Sequence, residues 1–515
     1  MANKSLFASA MAKLLPDARN REGAPAYAYG PEHRLAQLAA TGTLQDVFYA
    51  TAQTQLSELL DAARAVEPLF AAKAAVYARS RGSMKDMPAL LAAFLTVVEP
   101  DLAVRVFDRV IDNGRMLRSF VQIMRSGAVG RTSLGTRPKR LVQLWLEQAS
   151  MRSLMQAATG NDPSLADIVR MVHPKPADES RRAFYAWLIG RPYDVAALPA
   201  EIAAFEAWKR DSSLPLPDVP FEWLTAFPLR AEQWAVLAVR MGWQALRMNL
   251  NTVARSGAFA VEGVAEAVAT RLADPEALAR ARVLPYQLMV ALDTVGDGVP
   301  LAVQAALEQA LESSLASVPA VPGRVVVCPD VSGSMSSPVT GYRKGASSKV
   351  RCIDVAALVA AAVLRRNSAA RVLPFECDVV PMALDPVARI AVNAARLAAI
   401  GGGGTNVSAP LALLNRERAE VDLVVIVSDN QSWVDAGRGG AATATLTEWE
   451  RLRRRVPTAK LVCIDLQPYG TTQAKSRPDI LNVGGFSDAV FETLARFASG
   501  KADRDWVAEV NETEV

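Results

Sequence analysis

The stretch Arg324-Val325-Val326-Val327-Cys328-Pro329-Asp330-Val331-Ser332-Gly333-Ser334 joins an apolar run to a carboxylate and two hydroxyls. The run is too continuous for a half-exposed strand and reads as one buried on both faces. Ala370 to Phe375, Val421 to Val427 and Lys460 to Leu466 have the same character, and helical segments alternate with them at Cys352 to Arg366, Pro386 to Ile400, Thr445 to Arg454 and Asp488 to Ala498. Buried strands alternating with helices predict a parallel, doubly wound α/β sheet. Ligands of such sheets bind beyond the carboxyl ends of the strands, and Asp330, Ser332 and Ser334 fall there. At i, i+2 and i+4 of a Gly-containing turn, their oxygens can converge on one hard cation such as Mg²⁺. Alone, the pattern also suits an ordinary Asx turn capping the next helix. Two more loops add to it: Gly401-Gly402-Gly403-Gly404-Thr405-Asn406 brings the hydroxyl of Thr405, and Ser428-Asp429-Asn430 brings the carboxylate of Asp429.

With these positions filled, the segment resembles the von Willebrand factor A (vWA) family, whose metal-ion-dependent adhesion site combines D-x-S-x-S, a Thr and an Asp. The resemblance implies that Asp330, Ser332, Ser334, Thr405 and Asp429 hold a divalent metal ion, Mg²⁺, with an open position for a partner's carboxylate. No enzyme is expected. His173 is the last histidine, and neither motif serine has an activating base beside it.

Upstream, from about Leu35 to Leu315, apolar residues recur at helical spacing between Gly, Pro and Asn breaks. Leu56 to Ala65, Met87 to Leu95, Leu102 to Ile111, Leu165 to Met171 and Leu301 to Leu315 are examples, with a Pro-rich loop at Ser212 to Pro220. Stacked helix pairs suit this list. The periodicity changes at Ser317 to Gly323, which predicts a helical domain over 1–318, a vWA domain over 319–502 and a flexible acidic tail over 503–515.

A chain of 515 residues is too long for one core, so at least two domains are expected. Its apolar residues, 51% of the total, never run the roughly 18–20 positions needed to span a bilayer, the longest run being Val355 to Leu364. Met1 to Arg19 has Lys4 and Lys13 but no apolar core with a cleavage site, and Cys328, Cys352, Cys377 and Cys463 form no C-x-x-C pair. These features predict a cytoplasmic protein without a membrane partner. The net charge of +4 is unevenly spread: Arg105 to Arg140 holds nine Lys and Arg against Asp108 and Asp112, a local +7 that leaves −3 elsewhere. No acid lies between Asp112 and Glu147. A basic surface of this kind neutralises phosphates, which makes Arg115, Arg118, Arg125, Arg131, Arg137, Lys139 and Arg140 candidates for RNA contact. The bland alternative is a solvated helix face.

The helical half resembles the TROVE module shared by telomerase-associated, Ro and vault proteins. The likeness rests on Phe107-Asp108-Arg109-Val110, on Gly135-Thr136-Arg137-Pro138-Lys139-Arg140-Leu141-Val142-Gln143-Leu144-Trp145 and on Val172-His173-Pro174-Lys175-Pro176. Arg247-Met248-Asn249-Leu250 and Val283 to Leu292 continue it. TROVE followed by vWA resembles the Ro family and its bacterial relatives. That resemblance implies a ring of HEAT-like helix pairs in a monomer, with Y-type non-coding RNA outside and single-stranded 3′ ends of misfolded RNA through the hole. It implies RNA quality control with an exoribonuclease as partner, and it adds His173, Lys175, Arg247 and Asn249 to the RNA-contacting candidates. Leu154 to Asp162 departs from the pattern, since it has no Lys or Arg where relatives are basic, which implies weaker Y RNA affinity or other contacts. Trp223, Trp234 and Trp243 could stack bases, although their spacing is more often that of helix core. The competing reading is a protein-binding scaffold that grips an acidic partner at the metal site without RNA.

Overall fold

A computed structural model describes the chain apart from residues 1–14, 282, 284, 316, 317, 319, 322, 343–349, 435–441, 468, 486 and 501–504. The reading of the extreme N-terminus and part of the boundary at 317–323 lie outside the described residues. Among those described, no helix is long and apolar enough to cross a membrane.

The apolar runs form a five-stranded sheet, entirely parallel, from β3 (Val325–Pro329), β4 (Arg371–Val372), β5 (Leu423–Ser428), β6 (Lys460–Asp465) and β8 (Ile480–Gly484), in the order β4-β3-β5-β6-β8. Every residue of β3 and β5 is buried, as a strand covered on both faces requires. The core combines Val326, Cys328, Phe375, Leu411, Ile426 and Trp449 from strands and helices alike. In this order the chain turns back between β3 and β5, and the crevice beyond their carboxyl ends is where such sheets bind ligands. β8 was not foreseen. Asn482 and a closing Gly interrupt its apolar pattern, and the fold satisfies Asn482 internally with Thr472, Ser476 and the Ala474 carbonyl.

A second, three-stranded sheet joins β1 (Ala18–Arg19), β2 (Pro25–Ala28) and β7 (Thr471–Thr472), with Tyr27 opposite Thr472. Tyr27 is fully buried in the core of the large sheet. The described residues of 1–87 therefore group with those of 283–290 and 311–514 in one compact unit, while those of 88–282 and 291–310 form the main body of another. This division differs from a boundary at 318/319, because a strand that pairs some 450 residues downstream leaves no local trace. The acidic tail also differs from the expectation of fraying. Asp505 caps a helix at Trp506–Asn511, and buried Trp506 donates to Tyr77 (3.1 Å) and packs edge-on to His33.

Asp465 ties the N-terminal segment down. Its carboxylate, wholly buried at the end of β6, accepts from Tyr29 (2.6 Å), Asn430 (3.0 Å) and Gln37 (3.2 Å). Burial pushes its pKa up to about 7. The folded state therefore holds a proton that the unfolded chain releases near pH 4, so this group's contribution to stability falls as pH rises from about 4 through 7. Asp465→Ala is expected to strand three buried donors and cost about 2–3 kcal/mol, read as a lower thermal midpoint.

The second unit is helical, from Pro100–Val110 through Gly114–Ser126, Thr136–Gln148, Met151–Ala157 and Leu165–Val172 to Pro275–Ala281. The Gly114–Ser126 helix is representative. Asn113 caps its first amides, Met116, Leu117, Phe120, Val121 and Met124 form its buried stripe, and Gly127 ends it in the left-handed region at φ 86°.

Candidate metal centre and basic helix face

The loops after β3 and β5 bring four of the five sequence-predicted metal ligands together. Asp330 and Asp429 are each buried at a strand end, as are Ser332 and Ser334. One Asp330 oxygen accepts from the Ser332 amide (2.9 Å) and the other from the Ser428 hydroxyl (2.6 Å). The Ser332 and Ser334 hydroxyls lie 3.4 Å apart. Thr405 arrives from the glycine loop, which is stitched to the first loop by Gly333 N–H to Gly403 O (3.1 Å) and Gly402 N–H to Val331 O (3.1 Å). The Thr405 carbonyl accepts from the amide of Trp433, on the third loop (3.2 Å). The glycines are needed here: Gly403 has φ 72°, and a side chain on it would collide with the Glu376 carboxylate.

The donor set fits a hard divalent cation. Among the described residues no group of three His, Cys, Asp or Glu gathers to hold a metal. The centre is instead two carboxylates and the hydroxyls of Ser332 and Ser334, all oxygen, with Thr405 on the adjoining glycine loop, a set that suits Mg²⁺. Burial raises the pKa of both carboxyls, and the charge of Asp330 raises Asp429 further. Their hydrogen-bond donors, the Ser332 amide, the Ser428 hydroxyl and the Gln431 amide, are all neutral. Two buried like charges with only neutral partners are costly unless a cation is supplied.

Several residues around the centre come from the far N-terminus. Asn20 donates to the Ser432 carbonyl, and the Arg21 amide donates to the Gln431 side chain (2.7 Å). Half-buried Tyr49 donates to Glu22, and its ring meets Tyr469 at 5.4 Å. Sequence reading missed them because the residues they hold near the centre lie 410–420 positions away. The alternation Pro25-Ala26-Tyr27-Ala28-Tyr29 was the one local sign of a strand there.

The candidate RNA contacts separate into groups. Arg115 and Arg125 are exposed on the Gly114–Ser126 helix; Arg137 and Arg140 are exposed and Lys139 half-buried on Thr136–Gln148, with half-buried Arg131 in the loop between. Arg118 has a structural job, since its guanidinium donates to the Ala157 carbonyl (2.5 Å) and fills the space over Gly160. Burial, and then the charge of Arg115, lowers its pKa. Arg137 meets Asp101 at 3.3 Å, an exposed pair of the kind worth little. His173 and Lys175 are exposed in the turn after Leu165–Val172, where His173 takes the left-handed conformation at φ 51°. Gln143, one turn beyond Arg140, donates to the Val172 carbonyl (2.6 Å) and so holds that turn beside the basic helix. Arg247 and Asn249 lie apart from this group on the Trp243–Arg255 helix. Arg247 engages Gln244, and Asn249 bonds the Ala245 carbonyl (2.8 Å). Trp243 is buried, as core spacing suggests, while half-buried Trp223 packs on Trp187 and Phe205.

Residues 324–498 match the family described as the Ro60 vWA domain. The chain is 26% identical over 524 aligned positions to the protein named RNA-binding protein RO60 of Deinococcus radiodurans, covering 94% of this chain and 95% of that one. The crystal structure of the Deinococcus radiodurans RO (RSR) protein shares the fold, with a TM-score of 0.60 at 23% identity over 92% of this chain and 100% of that chain.

Proposed function

Since residues 324–498 form a Ro60-type vWA domain in a chain related to a Ro protein along nearly its whole length, we propose that this protein binds RNA. Its ligands are structured non-coding RNA of the Y type and the single-stranded 3′ ends of misfolded RNA. The observation that carries the reading is that Arg115 and Arg125 are exposed on one helix and Arg137 and Arg140 on the next, with Gln143 anchoring the His173–Lys175 turn beside the second of them. Cations on a helix surface neutralise phosphates irrespective of sequence, and single strands offer base faces and edges that a duplex hides. The vWA centre serves as a docking point: Asp330, Ser332, Ser334, Thr405 and Asp429 hold Mg²⁺, whose remaining position accepts an acidic group of a protein partner such as an exoribonuclease. The bound ion supplies positive charge and an open coordination position. The assignment is of a binding protein and gives no residue a catalytic role.

Purification at low salt, followed by absorbance and filter binding of a labelled single-stranded RNA, tests this. Co-purifying nucleic acid and an affinity that falls steeply with salt are expected. Protein free of nucleic acid that ignores RNA at low salt would favour the scaffold reading.

A further inference from the structure

A cavity of about 460 Å³ opens within the helical unit, between the Met151–Ala157 helix, the segment 217–222 and the start of the Trp243–Arg255 helix. That is the size of a small-ligand site, which runs from about 300 to 1,000 Å³. Buried Met155, Leu237 and Met241 and half-buried Phe221 line it with apolar surface. Thioethers and an aromatic face suit a flat ring.

Its polar side begins at the helix start. Gly242 to Ala245 all line the cavity, no side chain caps the helix, and its first turn holds no acid. The first amides of a helix lack partners within it, and the helix dipole adds positive charge there, so this end favours an anion. Arg240 also lines the cavity; it donates to the Leu216 carbonyl at 3.1 Å and is exposed to solvent. Trp243 gives an independent sign. It lines the cavity at 5% exposure, and its indole N–H has no acceptor among the described residues. An indole nitrogen can only donate, and buried donors are nearly always paired, so this one marks a place for an acceptor that a ligand brings.

Carboxylates complete the lining. Asp218 and Glu222 come from the segment 217–222, and Asp218 meets Arg152 at 3.5 Å, a solvated pair weak enough to open for a ligand. Donors that favour an anion are thus combined with acceptors that favour an amine. Thr159, also on the lining, precedes Gly160, over which the Arg118 guanidinium lies, so the cavity adjoins the basic Gly114–Ser126 helix.

We propose that this cavity holds one nucleoside monophosphate, either a free nucleotide or an unstacked residue of a bound RNA strand. The phosphate takes the start of the Trp243–Arg255 helix with Arg240, the base lies on the apolar walls, and one acceptor of the ligand receives the Trp243 N–H. Adenine has an exocyclic amine to give Asp218 or Glu222, and uracil has none, so AMP is preferred to UMP. The free-nucleotide case stands without the RNA reading, whereas the strand case rests on that reading and deepens it.

Calorimetry of the full-length protein with AMP, UMP and adenosine tests the site. The wild type should bind AMP on the order of tenfold more tightly than adenosine or UMP. Arg240→Gln should weaken AMP on the order of tenfold and leave adenosine unchanged, a split that a merely structural role would not produce. Trp243→Phe keeps a ring but removes the donor, and should weaken AMP and adenosine alike. The Arg131→Ala/Arg137→Ala/Arg140→Ala variant should bind AMP as the wild type does. Filter binding of a labelled single-stranded RNA with and without saturating AMP then separates the two sources: competition assigns the cavity to a strand residue, and independent binding assigns it to a free nucleotide. No AMP binding at millimolar concentration, or equal affinities for AMP and adenosine in the wild type, would overturn the proposal while leaving the RNA reading standing. AMP binding by a protein that ignores RNA would overturn the RNA reading and leave the cavity as a nucleotide site.

Discussion

Divalent-ion binding is expected to vanish in the Asp330→Ala/Asp429→Ala double variant, with RNA affinity unchanged. Both ligands end strands of the large sheet, whereas the basic cluster belongs to the helical unit, so the two effects should be independent. Removing both ionic ligands leaves three neutral hydroxyls, too weak a set to dehydrate Mg²⁺. The stability signature has a definite sign. Both carboxyls are raised above their unfolded values, first by burial, so the metal-free wild type binds more protons folded than unfolded and loses stability as pH rises from about 4 through 7. Ionised and side by side, the pair destabilises the metal-free fold, and saturating Mg²⁺ relieves it. At pH 8, Mg²⁺ at about a hundred times its Kd should stabilise the wild type by about 2.7 kcal/mol and the double variant not at all. Undiminished Mg²⁺ affinity in the double variant would remove these residues from the site.

The Arg131→Ala/Arg137→Ala/Arg140→Ala triple variant should bind single-stranded RNA more weakly across all sequences. Each lost phosphate contact flattens the slope of log affinity against log salt by about 0.7, so three change it by about 2. Global stability should hardly move, because Arg137 and Arg140 are exposed and the Arg137–Asp101 pair is solvated. Arg118→Ala is the contrasting control. It should lower the thermal midpoint by deleting the bond to Ala157 and emptying the space over Gly160, which would make any RNA defect there ambiguous. A triple variant with wild-type affinity and slope would reduce its three residues to a solvated face and move the search to His173 and Lys175.

What could be read in the sequence was what neighbours in the chain determine. The helices Cys352–Arg366 and Asp488–Ala498 fall where periodicity places them, and β3, β5 and β6 start and end within two residues of the apolar runs. The centre was legible because its ligands sit on three short loops, each next to a recognisable strand or glycine run. What escaped depends on distant partners. Tyr27 looks like any half-apolar tyrosine until β7 is known, and Asn20 looks like any turn residue until the Ser432 carbonyl lies beside it. Arg118 shows the converse limit: charge patterning groups it with Arg115 and Arg125, yet the Ala157 carbonyl claims it for the helix packing.

Titration of the wild-type protein with a duplex RNA carrying a single-stranded 3′ extension, against the same duplex with blunt ends, addresses the proposed function at its root. Basic helices that accept any phosphate would bind both, but a protein that takes single-stranded ends gains contacts the blunt duplex cannot offer. At near-physiological salt the extended duplex should bind tighter by on the order of tenfold, about 1.4 kcal/mol, with most of the preference kept as salt rises. Equal affinities for the two duplexes, or no binding of either at low salt, would contradict it.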